Sequence, residues 1–255
     1  MSSWCDKLAS TPTVGIRMDK QYVPATTTLQ ALAPIVSTWV DGDKPRFSLE
    51  QSDAFSLQLQ VHDGFVYAAN FESLSVEFKH RMKLRAKSAG LPVAEMTSQA
   101  RPYTELLTQV TDRVLTALEL ITSGKNRKLR RLGIVTTTVV DDEAAPPGVQ
   151  RLLKYVARPW RVSLDSYHLQ LTAPLRTPKT TGYEDRCIHT ITKSELDEDN
   201  LITVILDYQR TFDDEKNLSM SSVRGLLNSV RQSALDYFED VGQGDRYDDK
   251  LIEEG

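Results

Sequence analysis

Apolar positions recur at helical spacing in "LLTQVTDRVLTALELI", Leu106 to Ile121, and nearly the same stripe returns in "LLNSVRQSALDYFEDV", Leu226 to Val241. In register, Leu107 matches Leu227, Val110 matches Val230, Leu118 matches Phe238 and Ile121 matches Val241. A stripe of this width predicts a helix with one face on a core. Any two core-facing helices agree in part, so the order of the other segments decides whether the chain repeats.

The order repeats as well. "LQALAPIV" from Leu29 lies over "VQRLLKYV" from Val149, with Leu32 on Leu152 and Val36 on Val156, and Trp39 and Trp160 follow each segment. A strand-like run with Gly-Ile precedes each of these helices: "TVGIRMD" with Gly15 and "RLGIVTTTVV" with Gly133. Strict alternation follows each, in "FSLQLQV" and "YHLQLTA", which predicts strands with one buried face. Further strands are read in "FVYAANFES", "LSVEFKHRM", "RCIHTITK" and "NLITVILDYQ". Each half thus reads strand, helix, three or four strands, long helix.

These elements predict an α+β fold, internally duplicated, in which two copies of a strand, helix, antiparallel sheet and long helix form one pseudo-symmetric body. The first copy spans residues 11–122, the second 131–242, and 243–255 is an acidic tail. "SGKNRKLRR", Ser123 to Arg131, is read as the polar turn between them. "DDEAAPPG" and "APLRTPKTTGYED" are read as long loops of the second half. Pro102 opens the first long helix, Ser221 or Ser222 caps the second, and Gly242 ends it.

The strand order of each half resembles the repeat of TATA-binding-protein-like folds. Separately, "RPYTELLTQVTDRVLTALELI" with "RRLGIV", and the ending "ITVILDYQRTFD" before a long helix, resemble a sporadically distributed prokaryotic family of uncharacterised proteins about 260 residues long. The first resemblance implies topology and the second implies architecture and size. Neither implies an activity.

Composition changes this picture little. The chain has 255 residues, 40% hydrophobic and 26% charged, with a formal charge of −4. This balance excludes disordered and fibrous classes and gives no global attraction to phosphate. No apolar run approaches the roughly 20 residues of a membrane helix, so a cytoplasmic protein is expected. Two cysteines without paired spacing argue against a disulfide framework and against a four-ligand zinc site.

Candidate chemistry is sparse. There is no nucleophile elbow, no phosphate-binding glycine loop, and the four histidines are scattered. Asp63, Glu77 and Lys79 resemble the carboxylate–carboxylate–lysine pattern of metal-dependent nucleases, in which the carboxylates hold Mg²⁺ and the lysine assists the attacking water. Glu77 and Lys79 also read as the outward positions of an amphipathic strand. Cys187 and His189 share a strand face, a geometry open to a metal contact but equally to ordinary strand packing. Asp141, Asp142 and Glu143 stand before a helix, where its dipole stabilises carboxylates without a ligand.

Two basic runs, "KHRMKLRAK" and "KNRKLRR", offer a phosphate-binding surface, the second through Lys125, Arg127, Lys128, Arg130 and Arg131. The reading is a noncatalytic binding or scaffold protein acting through protein–protein contacts, with no cofactor and no metal. The alternative is a nucleic-acid-binding protein, with cleavage if the carboxylate pattern converges. A homo-oligomer is compatible with either.

Overall fold

A computed structural model describes residues 4–41, 44–50, 53–80, 82–85, 93–96, 101–123, 127–157, 166–175, 182–193, 201–217 and 219–244. The first part of the chain forms α1 (Trp4–Lys7), β1 (Thr11–Met18), α2 (Ala25–Ala31), α3 (Ala33–Val36) and strands β2 (Val40–Asp41) to β4, the latter through β3 (Lys44–Pro45) to Phe47–Glu50. It continues through β5 (Leu57–Val61), β6 (Phe65–Ala69), β7 (Ser73–Phe78), the hairpin β8 (Met82–Arg85) and β9 (Val93–Met96), and α4 (Tyr103–Thr122). The second part forms β10 (Lys128–Asp141), α5 (Pro147–Ala157), β11 (Tyr167–Leu175), β12 (Tyr183–Lys193), β13 (Leu201–Asn217) and α6 (Met220–Gln243).

The fold is α+β, as the periodicity requires. One antiparallel sheet of nine strands runs β11-β12-β13-β10-β1-β7-β6-β5-β4. Its seam is the β1/β10 pair, where Gly15 lies directly opposite Gly133. Outward from the seam, β7, β6 and β5 follow β1, while β13, β12 and β11 follow β10. The two sides share one strand order over these four strands each, and β4 is added beyond β5 on the first side alone.

All the long helices lie on one face. α4 packs on β1 and β7, α6 packs on β10 and β13, and α5 packs on α6. The alternation of β1 points Val14, Ile16 and Met18 at this layer and leaves Thr13, Gly15 and Arg17 on the other side. α4 buries Leu106, Leu107, Val110, Val114 and Leu118, and α6 buries Leu227, Val230, Ala234, Phe238 and Val241. Leu106 is fully buried, whereas Leu226 is only partly buried. Each large side chain so removed from water contributes about 1.5–3 kcal/mol.

Polar groups on the helix side are paired. The Thr136 hydroxyl meets Tyr103 Oη, and Ser10 Oγ meets Thr138 Oγ1 at 2.5 Å, which explains threonines on a buried face. Pro12 sits in β1 opposite Thr136, beyond the end of the β7 pairing, so its missing N–H leaves no gap in that ladder.

Several boundaries differ from the expectations. Lys128 to Arg131 are strand, not turn, because β10 starts at Lys128. The stretch read as a loop from Ala173 contributes its first residues to β11 and its last to β12. α6 is capped by Ser219, whose Oγ accepts from Ser222 N at 3.3 Å, rather than by Ser221 or Ser222. It ends on Gly244, whose φ of 93° is the left-handed conformation a helix stop favours, and not on Gly242. Gly242 is a point of close approach instead: a Cβ there would land on the Trp4 indole, whose Nε1 donates to Phe238 O at 2.7 Å. The tail from residue 245 and Trp160 lie outside the described residues.

Candidate anion site on the open face of the sheet

Alternation along β7 sends Leu74, Val76 and Phe78 to the helix layer and Glu77 to the open face. There Glu77 Oε1 pairs with Lys79 Nζ at 2.6 Å. Asp63 is held on the helix side: its Oδ2 accepts from Arg113 Nη2 of α4 at 2.8 Å, and that guanidinium lies 3.8 Å from the Phe65 ring centroid. The three residues of the nuclease-like pattern therefore do not converge, and no group of three or more His, Cys, Asp or Glu among the described residues could hold a metal ion.

Cys187 and His189 do share a face, but it is the buried one. His189 is 4% exposed and its Nε2 lies 2.8 Å from Tyr237 Oη of α6. Burial pushes the His189 pKa down to about 4, so the ring is neutral near pH 7. Burial likewise raises the Cys187 thiol above its ordinary range. Next to them Arg210 donates to both oxygens of Asp185 at 2.7 and 2.6 Å, and Tyr208 Oη donates to the same carboxylate at 2.7 Å. Arg210 also donates to Ser229 Oγ of α6 and stacks on Tyr183. These contacts fasten β12 and β13 to α6, a structural use of the residues.

The basic run around residue 128 divides. Arg127 is 5% exposed and clamps the end of β1, donating to Asp19 Oδ1 at 3.1 Å and to the carbonyls of Asp19 and Phe71. It is a structural residue, not a surface contact. Lys128 is exposed at the start of β10, and Lys125 lies outside the described residues. Arg130 and Arg131 have a different fate. Met18 pairs with Leu129 while Arg17 pairs with Arg131, so Arg130 is the extra residue of a β-bulge. The bulge lets Leu129 and Leu132 both reach the core, and Arg130 and Arg131 both line the same open cavity.

That cavity, about 760 Å³, is lined by Arg17, Arg130, Arg131, Arg186, Glu184 and Thr211, among others. Four arginines from β1, β10 and β12 thus meet at one end of the open face. Arg17 and Arg131 are direct cross-strand partners, an arrangement that like charges make unfavourable. Arg17 Nη2 pairs with Glu72 Oε1 at 2.6 Å. Arg131 and Arg186 instead share a neutral acceptor. Gln209 Oε1 takes Arg131 Nη1 at 3.0 Å and Arg186 Nε and Nη2 at 3.0 and 2.8 Å. Gln209 Nε2 then donates to Asp207 Oδ2 at 2.5 Å. Burial, then the charge of Arg17, pushes the Arg131 pKa down. Burial raises that of Asp207 against the pull of Gln209, Arg131 and Arg186.

Beside the cavity lies a second hollow of about 300 Å³, which shares Arg17 and Arg131 and is floored by Gly15 and Gly133. Thr13, Ser73, Ser75, Glu72, Asp207 and Gln209 also line it. Neither glycine has a positive φ, and a Cβ would stand 4.0 Å from Ser75 Cβ at Gly15 and 3.6 Å from Tyr208 O at Gly133. These are ordinary contacts, so packing within the chain does not demand glycine at either position. Glu72 Oε2 is buried with no hydrogen-bond partner among the described residues.

Of these residues, sequence reasoning singled out Arg130 and Arg131 and noted Gly15 and Gly133 only as strand markers. It missed Arg17, Arg186, Gln209, Asp207 and Glu72. A usable signal existed: Arg17 follows Gly15 at the same distance by which Arg131 precedes Gly133, so pairing the two glycines in an antiparallel seam brings the arginines together.

No family model matches the chain, and no curated protein matches it. Among solved structures, the rolling circle replication initiator protein from Geobacillus stearothermophilus aligns over 88% of this chain and 78% of its own, at 7% identity and a TM-score of 0.28. A likeness at that level carries no argument about fold or function.

Proposed function

We propose that this is a noncatalytic binding protein that takes an anionic ligand on the open face of its sheet. The observation that carries the reading is the cross-strand pair Arg17–Arg131, joined by Arg130 and Arg186 around one cavity. Like charges placed opposite one another cost stability, and a sequence keeps such a conflict where a ligand relieves it. Neither Arg131 nor Arg186 is in a salt bridge among the described residues; their common partner is the neutral Gln209 carbonyl. The Asp207 carboxylate reaches them only through Gln209, and an anion entering the cavity would add a direct partner through charge-assisted, bidentate-capable hydrogen bonds. The same reading treats residues 11–122 and 131–242 as two copies of one unit, supported by the shared strand order on either side of the Gly15–Gly133 pair.

Thermal melts in phosphate and in chloride at equal ionic strength test the proposal. Phosphate should raise the melting temperature of the wild type, and Arg131→Gln with Arg186→Gln should abolish the difference. Equal stabilisation of wild type and variant would remove the cavity from the account, and no stabilisation of either would remove the anion.

A nucleic-acid partner is the second reading, favoured by Arg130 and Arg131. Glu184, Glu72 and Asp207 line the same hollows and would repel the successive phosphates of a long chain. The chain's net charge of −4 adds no steering.

A further inference from the structure

The arginine cavity and the glycine-floored hollow adjoin, with Arg17 and Arg131 lining both. The two parts differ in chemistry. The first presents guanidinium groups. In the second, Gly15 and Gly133 face each other and leave the backbone bare at those two positions. Its borders are short polar side chains, Thr13, Ser73 and Ser75, with the Gln209 amide and the Asp207 carboxylate on the far side.

A glycine inside a strand forfeits packing and costs conformational entropy relative to alanine. Here the cost meets no demand from the chain's own packing, since a Cβ fits at both positions. Paired glycines on an open face do serve close approach by something flat from outside. Asp207 Oδ1 borders this floor, 3.9 Å from where a Gly133 Cβ would stand, and offers it a carboxylate acceptor.

We infer that the two adjoining hollows bind a small phosphate ester of a planar, hydrogen-bond-donating ring system, of the nucleoside monophosphate class. The inference rests on the anion-binding reading above and adds the shape and size of the ligand. The phosphate sits among Arg17, Arg130, Arg131 and Arg186, and the ring lies on the Gly15–Gly133 floor. Asp207 Oδ1, which borders the Gly133 floor, accepts a hydrogen bond from an N–H or O–H of the ligand. A compact ligand with one phosphate suits the site better than a polymer, because the Glu184, Glu72 and Asp207 carboxylates in the same lining confine the positive charge to a small area. Each of the two hollows, about 760 and about 300 Å³, is of the size that small-molecule sites have, on the order of 300–1,000 Å³.

The experiment is calorimetric titration of the full chain with inorganic phosphate, with adenosine, guanosine, cytidine and uridine monophosphates, with the unphosphorylated nucleosides, and with a single-stranded oligonucleotide. At least one monophosphate should bind about tenfold or more tighter than inorganic phosphate and tighter than its nucleoside. Gly15→Val and the milder Gly133→Ala should fold normally, checked by melting temperature. They should bring the affinity for that monophosphate down towards the inorganic phosphate value while leaving phosphate binding unchanged. If no monophosphate exceeds inorganic phosphate, or if the glycine variants bind it as the wild type does, the ring site is wrong while the anion reading stands. Tighter binding of the oligonucleotide than of any monophosphate would overturn the inference in favour of a polymer. Absence of phosphate binding altogether would overturn both readings.

Discussion

Arg17 stands directly opposite Arg131 in the antiparallel β1/β10 register, next in phase to the facing glycines Gly15 and Gly133. Two guanidinium groups in this position repel each other in the unliganded protein. Replacing one, Arg131→Gln, should therefore leave stability unchanged or raise it by up to about 1 kcal/mol while weakening anion binding. Chemical denaturation in chloride buffer measures the first effect. A loss of more than about 1 kcal/mol would mean that Arg131 is chiefly a structural residue held by Gln209.

The long helices offer a sharper contrast. Leu107 and Leu227 are fully buried, so Leu107→Ala or Leu227→Ala should cost about 2–5 kcal/mol. Asp112 is exposed, its contact with Arg224 reaching only 4.0 Å, and Asp112→Ala should cost under about 1 kcal/mol. Denaturant midpoints of the three variants check the order.

Asp185 and Arg210 are almost wholly buried, at 6% and 3% exposure. Asp185→Ala leaves the Arg210 guanidinium in the core without its charge partner and should cost about 3–5 kcal/mol. The double change Asp185→Leu with Arg210→Met should recover much of that loss, because removing both charges also removes their desolvation cost. A double-mutant cycle on denaturation free energies reads the coupling.

His189 gives a pH signature of definite sign. Its pKa is lowered by burial to about 4 from an unfolded value near 6.5, so the unfolded chain binds the proton more readily. The stability of the neutral, Tyr237-bonded ring is full above pH 6.5 and is lost as pH falls from 6.5 towards 4. Melting temperatures across that window should decline for the wild type, and the decline should flatten in His189→Gln. An unchanged slope in the variant would show that carboxylates govern the acid limb.

How much of this was legible follows from what each feature depends on. The strands and the two long helices were legible because their signals are local: apolar residues at period two in β5 and β11, and at helical period in α4 and α6. The end of α6 was misplaced because Gly242 and Gly244 look alike in sequence. Only the approach of Trp4 to Gly242 and the left-handed backbone of Gly244 separate them. Arg127 and Arg131 likewise sit in one basic run, yet strand phase and the bulge at Arg130 send the first to Asp19 in the interior and the second to the open face. Arg186 was hidden for a third reason. It joins the cavity through the β12/β13/β10 register, where Arg186 and Gly133 both pair with Gln209, and that adjacency exists only once the sheet is assembled.

Anion binding among the arginines of the open face is tested most directly by a phosphate titration followed through the side-chain Nε–Hε resonances of the arginines. The signals of Arg17, Arg131 and Arg186 should move together and saturate along one binding curve, while that of the buried Arg210 stays still. If those three signals stay still, or if all exposed arginines drift together without saturation, the open face holds no anion site and the account is contradicted.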